Sequence, residues 1–190
     1  KTKLLRLLVV MTISITALLV LGITASAETV GAFEVTGGTS GEDYTYADGV
    51  LTINTSTALT IANTNPSTPT TDTIVVADGV SANITLAGVN IDVSSQSNTA
   101  AFKIADNSTG NVTITLADGT TNTLKSGDNC ADLQKNGEYS ETLGKLTITG
   151  TGTLTATGGE YGAGIGGGGD GSGSNITISG GTVTATGGDE

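Results

Sequence analysis

The chain has 190 residues, with 18 Asp and Glu against 7 Lys and Arg and no His, for a formal net charge of −11. So acidic a surface repels phosphate backbones, which excludes nucleic acid as an expected partner. Cys130 is the only cysteine, so no intrachain disulfide can form and stability must come from packing and backbone hydrogen bonds.

Residues 1–27 read as a secretory signal peptide. Lys1, Lys3 and Arg6 form a positive start, Leu7 to Ile23 an apolar stretch, and Ala25-Ser26-Ala27 a small-residue cleavage site. The mature chain is expected to begin at Glu28 and to be secreted or held at the cell surface, with no membrane association after cleavage. Cleavage would remove three of the 7 basic residues and none of the 18 acidic ones, so the remainder is more acidic still. An acidic surface attracts Ca²⁺, which prefers oxygen ligands.

Residues 28–47 carry Phe33-Glu-Val35 and Tyr44-Thr-Tyr46 on either side of a glycine-rich turn. They predict a capping strand pair over the open end of whatever follows, since a bare sheet edge invites aggregation. Phe33, Tyr44 and Tyr46 are three of the six aromatic residues, and their expected role is packing in that cap.

From residue 48 onward the sequence repeats. Leu51-Thr-Ile53, Ile84-Thr-Leu86, Val112-Thr-Ile114, Leu146-Thr-Ile148 and Ile176-Thr-Ile178 start at spacings of 33, 28, 34 and 30 residues. Alternation of apolar residues with Thr marks strands with one buried face. A second segment follows each, as in Leu59-Thr-Ile61, Val89-Asn-Ile91-Asp-Val93, Leu154-Thr-Ala156 and Val183-Thr-Ala185. A third recurs as Ala101-Phe-Lys-Ile104, Ala131-Asp-Leu-Gln134 and Ala163-Gly-Ile-Gly166. Three strands per repeat of about 30 residues, with no helix between them, predict an all-β fold, a right-handed parallel β-helix, in which coils bury one another's apolar faces. The alternative is a sandwich of antiparallel hairpins. Repetition of the whole three-strand unit, not of a hairpin, argues for the solenoid. The predicted coils are 48–82, 83–110, 111–143, 144–174 and an incomplete 175–190, truncated at the C-terminal end. Ile84, Leu86, Val112, Ile114, Leu146, Ile148, Ile176 and Ile178 are expected in one inward column.

Ala-Asp-Gly recurs at 47–49, 77–79 and 117–119 as a turn signal, because Gly accepts positive φ and Asp caps its own turn. Asn83, Asn111 and Asn175 precede the first strand of three coils and are expected to form a structural ladder. Cys130 reads as a small buried hydrophobe. Residues 128–142 form the longest loop of the repeat region, and loops on a rigid solenoid are where binding residues sit. The glycine run at 162–169 lacks a Gly-Lys-Ser/Thr ending and a following helix, so it is no phosphate loop; it permits close approach of neighbouring coils.

Thr-Ala-Thr-Gly-Gly followed by Gly-Ala-Gly-Ile-Gly-Gly-Gly, then Asn175-Ile-Thr-Ile-Ser-Gly-Gly-Thr-Val-Thr-Ala-Thr, resembles the repeats of large secreted proteins of clostridia and related gut Firmicutes. The upstream part, Gly49 to Ile91, resembles the clostridial carbohydrate-binding β-helix family, similar in fold to pectate lyases. The resemblance spans roughly residues 44–190 and implies extracellular polysaccharide binding with Ca²⁺ as a candidate cofactor. It assigns no binding residue by position.

Catalysis is not expected. The resemblance to pectate lyases implies an Arg base near Ca²⁺, yet Arg6 is the only Arg and lies in the signal. Acid hydrolysis of glycosides needs paired carboxylates, and the Asp residues are scattered. The reading is a non-catalytic module for a polysaccharide, such as a plant or microbial cell-wall glycan. Tyr139 and Tyr161 are the candidate sugar-stacking residues, and Asp128, Asp132, Glu160 and Asp170 the candidate Ca²⁺ ligands bridging to an acidic glycan. The alternative is a structural or adhesive cell-surface stalk. Remote alternatives are a polysaccharide lyase and an ice-binding face of outward Thr113, Thr115, Thr147 and Thr149.

Overall fold

The structure is a computed structural model and describes residues 26–137 and 142–189. Within these residues every regular element is a strand. Three parallel sheets run around a solenoid axis, as the repeat predicts. The first sheet is built from β5 (Ala58–Asn63), β7 (Ala82–Leu86), β10 (Val112–Leu116), β13 (Leu146–Gly150) and β16 (Ile176–Ile178). The second sheet stacks β8 (Asn90–Asp92), β11 (Thr121–Lys125), β14 (Thr153–Thr157) and β17 (Thr182–Thr186). The third contains β4 (Val50–Ile53), β6 (Thr73–Val76), β9 (Phe102–Ile104), β12 (Leu133–Lys135) and β15 (Ile165–Gly166).

The alternation seen in the sequence sets what faces inward. In β10 the residues Val112, Ile114 and Leu116 are buried, while Thr113 and Thr115 between them are half-buried on the outer face. The register Ile84↔Ile114↔Ile148↔Ile178 places one isoleucine per coil above the next, at spacings of 30, 34 and 30 residues. Ala82, Val112, Leu146 and Ile176 form a second column, and Ile61, Leu86 and Leu116 a third. The eight residues expected in a single column therefore lie on one inward face but in three columns. Matching Ile84 with Val112, as the sequence repeat suggests, is a slip of two residues. A slip of two leaves every side chain on the same face, so alternation alone does not detect it.

The start of the solenoid differs from expectation in two ways. Leu51-Thr-Ile53 lies in the third sheet, where Leu51 pairs with Ile74 and Ile53 with Val76. Leu59-Thr-Ile61 lies in the first sheet against Ile84 and Leu86. The second-sheet position of this coil is occupied by the loop containing Pro66 and Pro69, joined to β8 through a bridge between Thr70 and Ile91. A three-residue apolar–Thr–apolar pattern is the same in every sheet, so it does not reveal which wall a strand builds.

The cap is two hairpins, not one. β1 (Ala27–Val30) pairs antiparallel with β2 (Phe33–Thr36), which pairs antiparallel with β5 and extends the first sheet. β3 (Tyr44–Ala47) pairs antiparallel with β4 through a two-residue turn, Asp48-Gly49, in which both residues have positive φ. That backbone is the hairpin turn whose twist suits the flanking strands. Phe33, Val35 and Tyr44 are buried, as a capping role requires. The Tyr46 hydroxyl donates to Asp72 at 2.7 Å, and the same carboxylate accepts from the Ala32 amide at 2.9 Å, tying both hairpins to the first coil. The Ala-Asp-Gly at 77–79 and 117–119 instead turns coil corners, with Val80 and Thr120 amides bonding back to Ala77 and Ala117.

The expected asparagine ladder takes another form. Asn83 donates to the Ser56 carbonyl, Asn175 to the Leu143 carbonyl, and Asn111 accepts from the Lys145 amide. Each asparagine thus bonds the backbone of the adjacent coil. Asn122, which the repeat did not single out, sits fully buried in the inward column between Val89 and Leu154. Its Oδ1 accepts from the Gly88 and Val89 amides at 3.0 and 2.9 Å, and its Nδ2 donates to the Thr153 carbonyl at 3.1 Å. One side chain links three coils and supplies an acceptor to two corner amides, Gly88 and Val89, that lie outside the strands.

At the far end the inward face is open. Ile178 is 50 % exposed and Ile176 and Val183 are half-buried, against 0 % for Ile148 and Leu154 one coil earlier.

Two outcomes are expected. Asn122→Ala leaves two buried amides without an acceptor and should cost about 2–4 kcal/mol in urea unfolding; a loss below about 0.5 kcal/mol would show that the linkage is dispensable. Amides of β16 and β17 should exchange with solvent faster than those of β13 and β14. Equal protection in hydrogen-exchange mass spectrometry would contradict this.

Candidate functional site

The corner between the second and third sheets is built from three stacked positions. Gly127, Gly159 and Gly188 occupy the first, where a Cβ on each would land on the carbonyl of the preceding coil, at Gln96, Gly127 and Gly159 respectively. Only glycine permits this approach. The second position holds Ser97, Asp128, Glu160 and Asp189. The third holds Asn98, Asn129 and Tyr161. The backbone bonds Asn98 N–H to Asp128 O, Asn129 N–H to Glu160 O and Tyr161 N–H to Asp189 O, at 2.9, 2.7 and 3.1 Å, fix these equivalences.

Asn98, Asn129 and Tyr161 all have positive φ, at 61°, 64° and 62°. Asn tolerates that left-handed backbone and Tyr rarely adopts it. The ladder holds Tyr161 in the shape its asparagine predecessors prefer and leaves its ring 56 % exposed. The side-chain amide of Asn129 donates to Asn98 Oδ1 at 3.3 Å, a bond the tyrosine does not continue.

A second wall comes from the glycine run. The segment after β15 doubles back over β12: the Gly169 amide donates to the Asn129 carbonyl, the Gly168 amide to Asn136 Oδ1 and the Gly137 amide to the Ser172 carbonyl. This fold-over buries Gln134 on what would be the outer face of β12 and carries Asp170 to the surface. Between the corner and this segment lies an open groove of about 650 Å³, lined by Asn129, Tyr161, Gly162, Gly169, Asp170 and Gly188. It offers one aromatic face, one amide and one carboxylate above a floor of glycine backbone. The Tyr161 hydroxyl hydrogen-bonds Glu160, and that bond, with the charges of Glu160 and Asp128, holds its pKa above the usual phenol value.

The structure brings together part of the expected site. Tyr161 and Asp170 line the groove. Asp128 and Glu160 stack one coil apart beside it. Tyr139 lies outside the described residues. Asp132 is elsewhere: it is fully buried in the interior corner, where it accepts a short hydrogen bond from the Ser126 amide and another from the Thr157 backbone. Its placement follows from the strand it precedes, because the Asp132 carbonyl and amide bond Phe102 and Ala163 of the adjoining coils. The four residues expected to ligate Ca²⁺ therefore do not fit one ion, and among the described residues no three His, Cys, Asp or Glu side chains converge to hold a metal. Cys130 is buried and desolvation raises its pKa, as for a packed thiol.

Asp132 and its strand give the interior an ionisable character that the repeat does not announce. Desolvation pushes the Asp132 carboxyl up to about 7, and its second oxygen has no hydrogen-bond partner. Lys135 shares the inward register of Ile104, and desolvation lowers its pKa. The signal for both in the sequence is a change of composition, in which Asp-Leu-Gln-Lys at 132–135 replaces the apolar and Thr residues of the other strands.

No protein-family model, curated protein or solved structure matches this chain.

The Asp132 environment makes a pH prediction. The folded protein keeps a proton that the unfolded chain releases near the ordinary value of 3.8. Between about pH 4 and 7 the native state binds more protons than the unfolded one, so this group's contribution to stability falls as pH rises and levels off above 7. Asp132→Asn keeps the acceptor and removes the titration. Its Tm minus that of the unmodified protein should rise across this window, by roughly 2–4 °C for each kcal/mol regained. A Tm difference independent of pH would contradict the assignment.

Proposed function

We propose that this β-solenoid is an extracellular, non-catalytic polysaccharide-binding module whose site is the groove between Tyr161 and Asp170. The observation that carries the reading is an exposed tyrosine held in a left-handed backbone beside Asn129 and Asp170. A sugar ring presents one apolar face and a rim of hydroxyls. Tyr161 supplies a flat partner for the face. Asn129 and Asp170 supply a donor–acceptor pair and an acceptor for the rim. The signal-like first 27 residues, the resemblance to secreted clostridial β-helix proteins and the absence of Arg after Arg6 agree with binding outside the cell without cleavage.

Binding strength in an open groove comes from a few groups, so single substitutions should be decisive. The test is retention on insoluble cellulose, xylan, pectin and chitosan, with Ca²⁺ and with chelator. Retention on at least one matrix is expected, reduced about tenfold by Tyr161→Ala, a change worth about 1.4 kcal/mol. Retention on none would favour a structural stalk. Release of unsaturated sugars would overturn the non-catalytic reading.

A further inference from the structure

The sign of the charge around the groove selects among glycans, and it selects against the acidic class that the sequence suggested. Asp128, Glu160 and Asp189 stand on successive coils, spaced by about 4.8 Å, the separation of neighbouring strands. Glu160 and Asp189 are exposed and line not the groove itself but the adjoining hollow that shares Gly188 with it, and Asp128 is half-buried, with one oxygen accepting from Ser97 Oγ at 3.3 Å. Asp170 is exposed on the opposite wall. The lining contains no Lys, and the chain has no Arg beyond Arg6 and no His. A uronic acid polymer would bring its carboxylates against these, and among the described residues the carboxylates do not converge to seat a bridging ion.

We propose that the groove recognises a polysaccharide of unacetylated amino sugars, whose protonated amines pair with Asp170 and with the Asp128–Glu160–Asp189 column while a ring stacks on Tyr161. This rests on the glycan-binding reading above and adds the chemical class. Two features of the site fit it. Carboxylates that recur once per coil suit a polymer whose ammonium groups recur once per sugar. An exposed tyrosine face beside them attracts an ammonium as well as a sugar face, through the ring quadrupole.

The experiment is calorimetric titration of the full chain with glucosamine hexamer, N-acetylglucosamine hexamer, cellohexaose and a galacturonic acid oligomer, at pH 5.5 and low salt. The glucosamine hexamer should bind at least tenfold more tightly than its acetylated counterpart. Its affinity should fall severalfold at 0.5 M NaCl, where screening is strong. Glu160→Gln with Asp170→Asn should weaken it at least fivefold. Glu34→Gln with Asp78→Asn, which removes the same charge from exposed sites away from the groove, should change it less than twofold. Equal affinity for acetylated and unacetylated hexamers overturns the charge assignment and leaves glycan binding standing. Equal weakening by the two double variants overturns the groove in favour of diffuse attraction to an acidic protein. Tighter binding of the galacturonic acid oligomer reverses the assigned sign. Binding of no oligomer removes this inference and the glycan reading together.

Discussion

Coil-to-coil backbone hydrogen bonding in parallel register is the constraint from which the rest follows. Each strand bonds the strand above and below, so equivalent residues in successive coils must adopt the same φ and ψ even when their side chains differ. Ile84, Ile114, Ile148 and Ile178 stack because the ladder aligns their α-carbons. The same rule applies at the corners. Gly127, Gly159 and Gly188 recur because one backbone shape brings each against the previous carbonyl. Asn98 and Asn129 recur because that shape is left-handed one position beyond the acidic column. Burial then stabilises what the ladder aligns: each fully covered Ile or Leu contributes about 1.5–3 kcal/mol, available only while a neighbouring coil covers it.

Corners are also where strands stop pairing, so backbone groups there need side-chain partners. Asn122 and Asp132 show two solutions of different quality. Asn122 has both ends engaged, with acceptor and donor matched to amides and carbonyls of the adjoining coils. Asp132 receives bonds at one oxygen and leaves the other without a hydrogen-bond partner in a buried corner. A neutral amide is inexpensive to bury when fully bonded, whereas a carboxylate is costly and takes up a proton instead. The coil carrying Asp132 thereby acquires a stability that depends on pH.

The repeat made the solenoid legible, because a three-strand unit recurring every 30 residues or so has few other ways to bury its apolar faces. Its three walls were less so. Leu51-Thr-Ile53 and Leu59-Thr-Ile61 carry the same pattern as β7, β10, β13 and β16 of the first sheet and β14 and β17 of the second, so the pattern does not say which wall they join. Register was legible to within two residues and no better, for the reason that a slip of two preserves facing. Asp132 reads as a surface carboxylate of the 128–142 loop, although Ala131-Asp-Leu-Gln134 also reads as a third-strand segment. β12 crosses that segment, and the glycine-rich segment after β15 folds over its outer face, a long-range event that no local pattern announces. Tyr161 and Asp170 were legible as polar or aromatic residues beside glycine. Their meeting across one groove depends on that same fold-over.

A ladder that enforces sameness makes its exceptions informative. Replacing the corner asparagine by Tyr161 places a bulky side chain in a backbone region that costs it of order 1 kcal/mol or more, and forgoes the side-chain bond that Asn129 makes to Asn98. Nothing in the packing requires the exchange, since the ring remains mostly in solvent. The neighbouring column also changes character: Ser97 gives way to Asp128, Glu160 and Asp189, with no ion pair to them among the described residues. The strained tyrosine lines the groove and the carboxylates stand at the adjoining positions of the same corner. Under the glycan-binding proposal these adjacent corner positions are set by the ligand, and the coil-to-coil ladder only holds them in place.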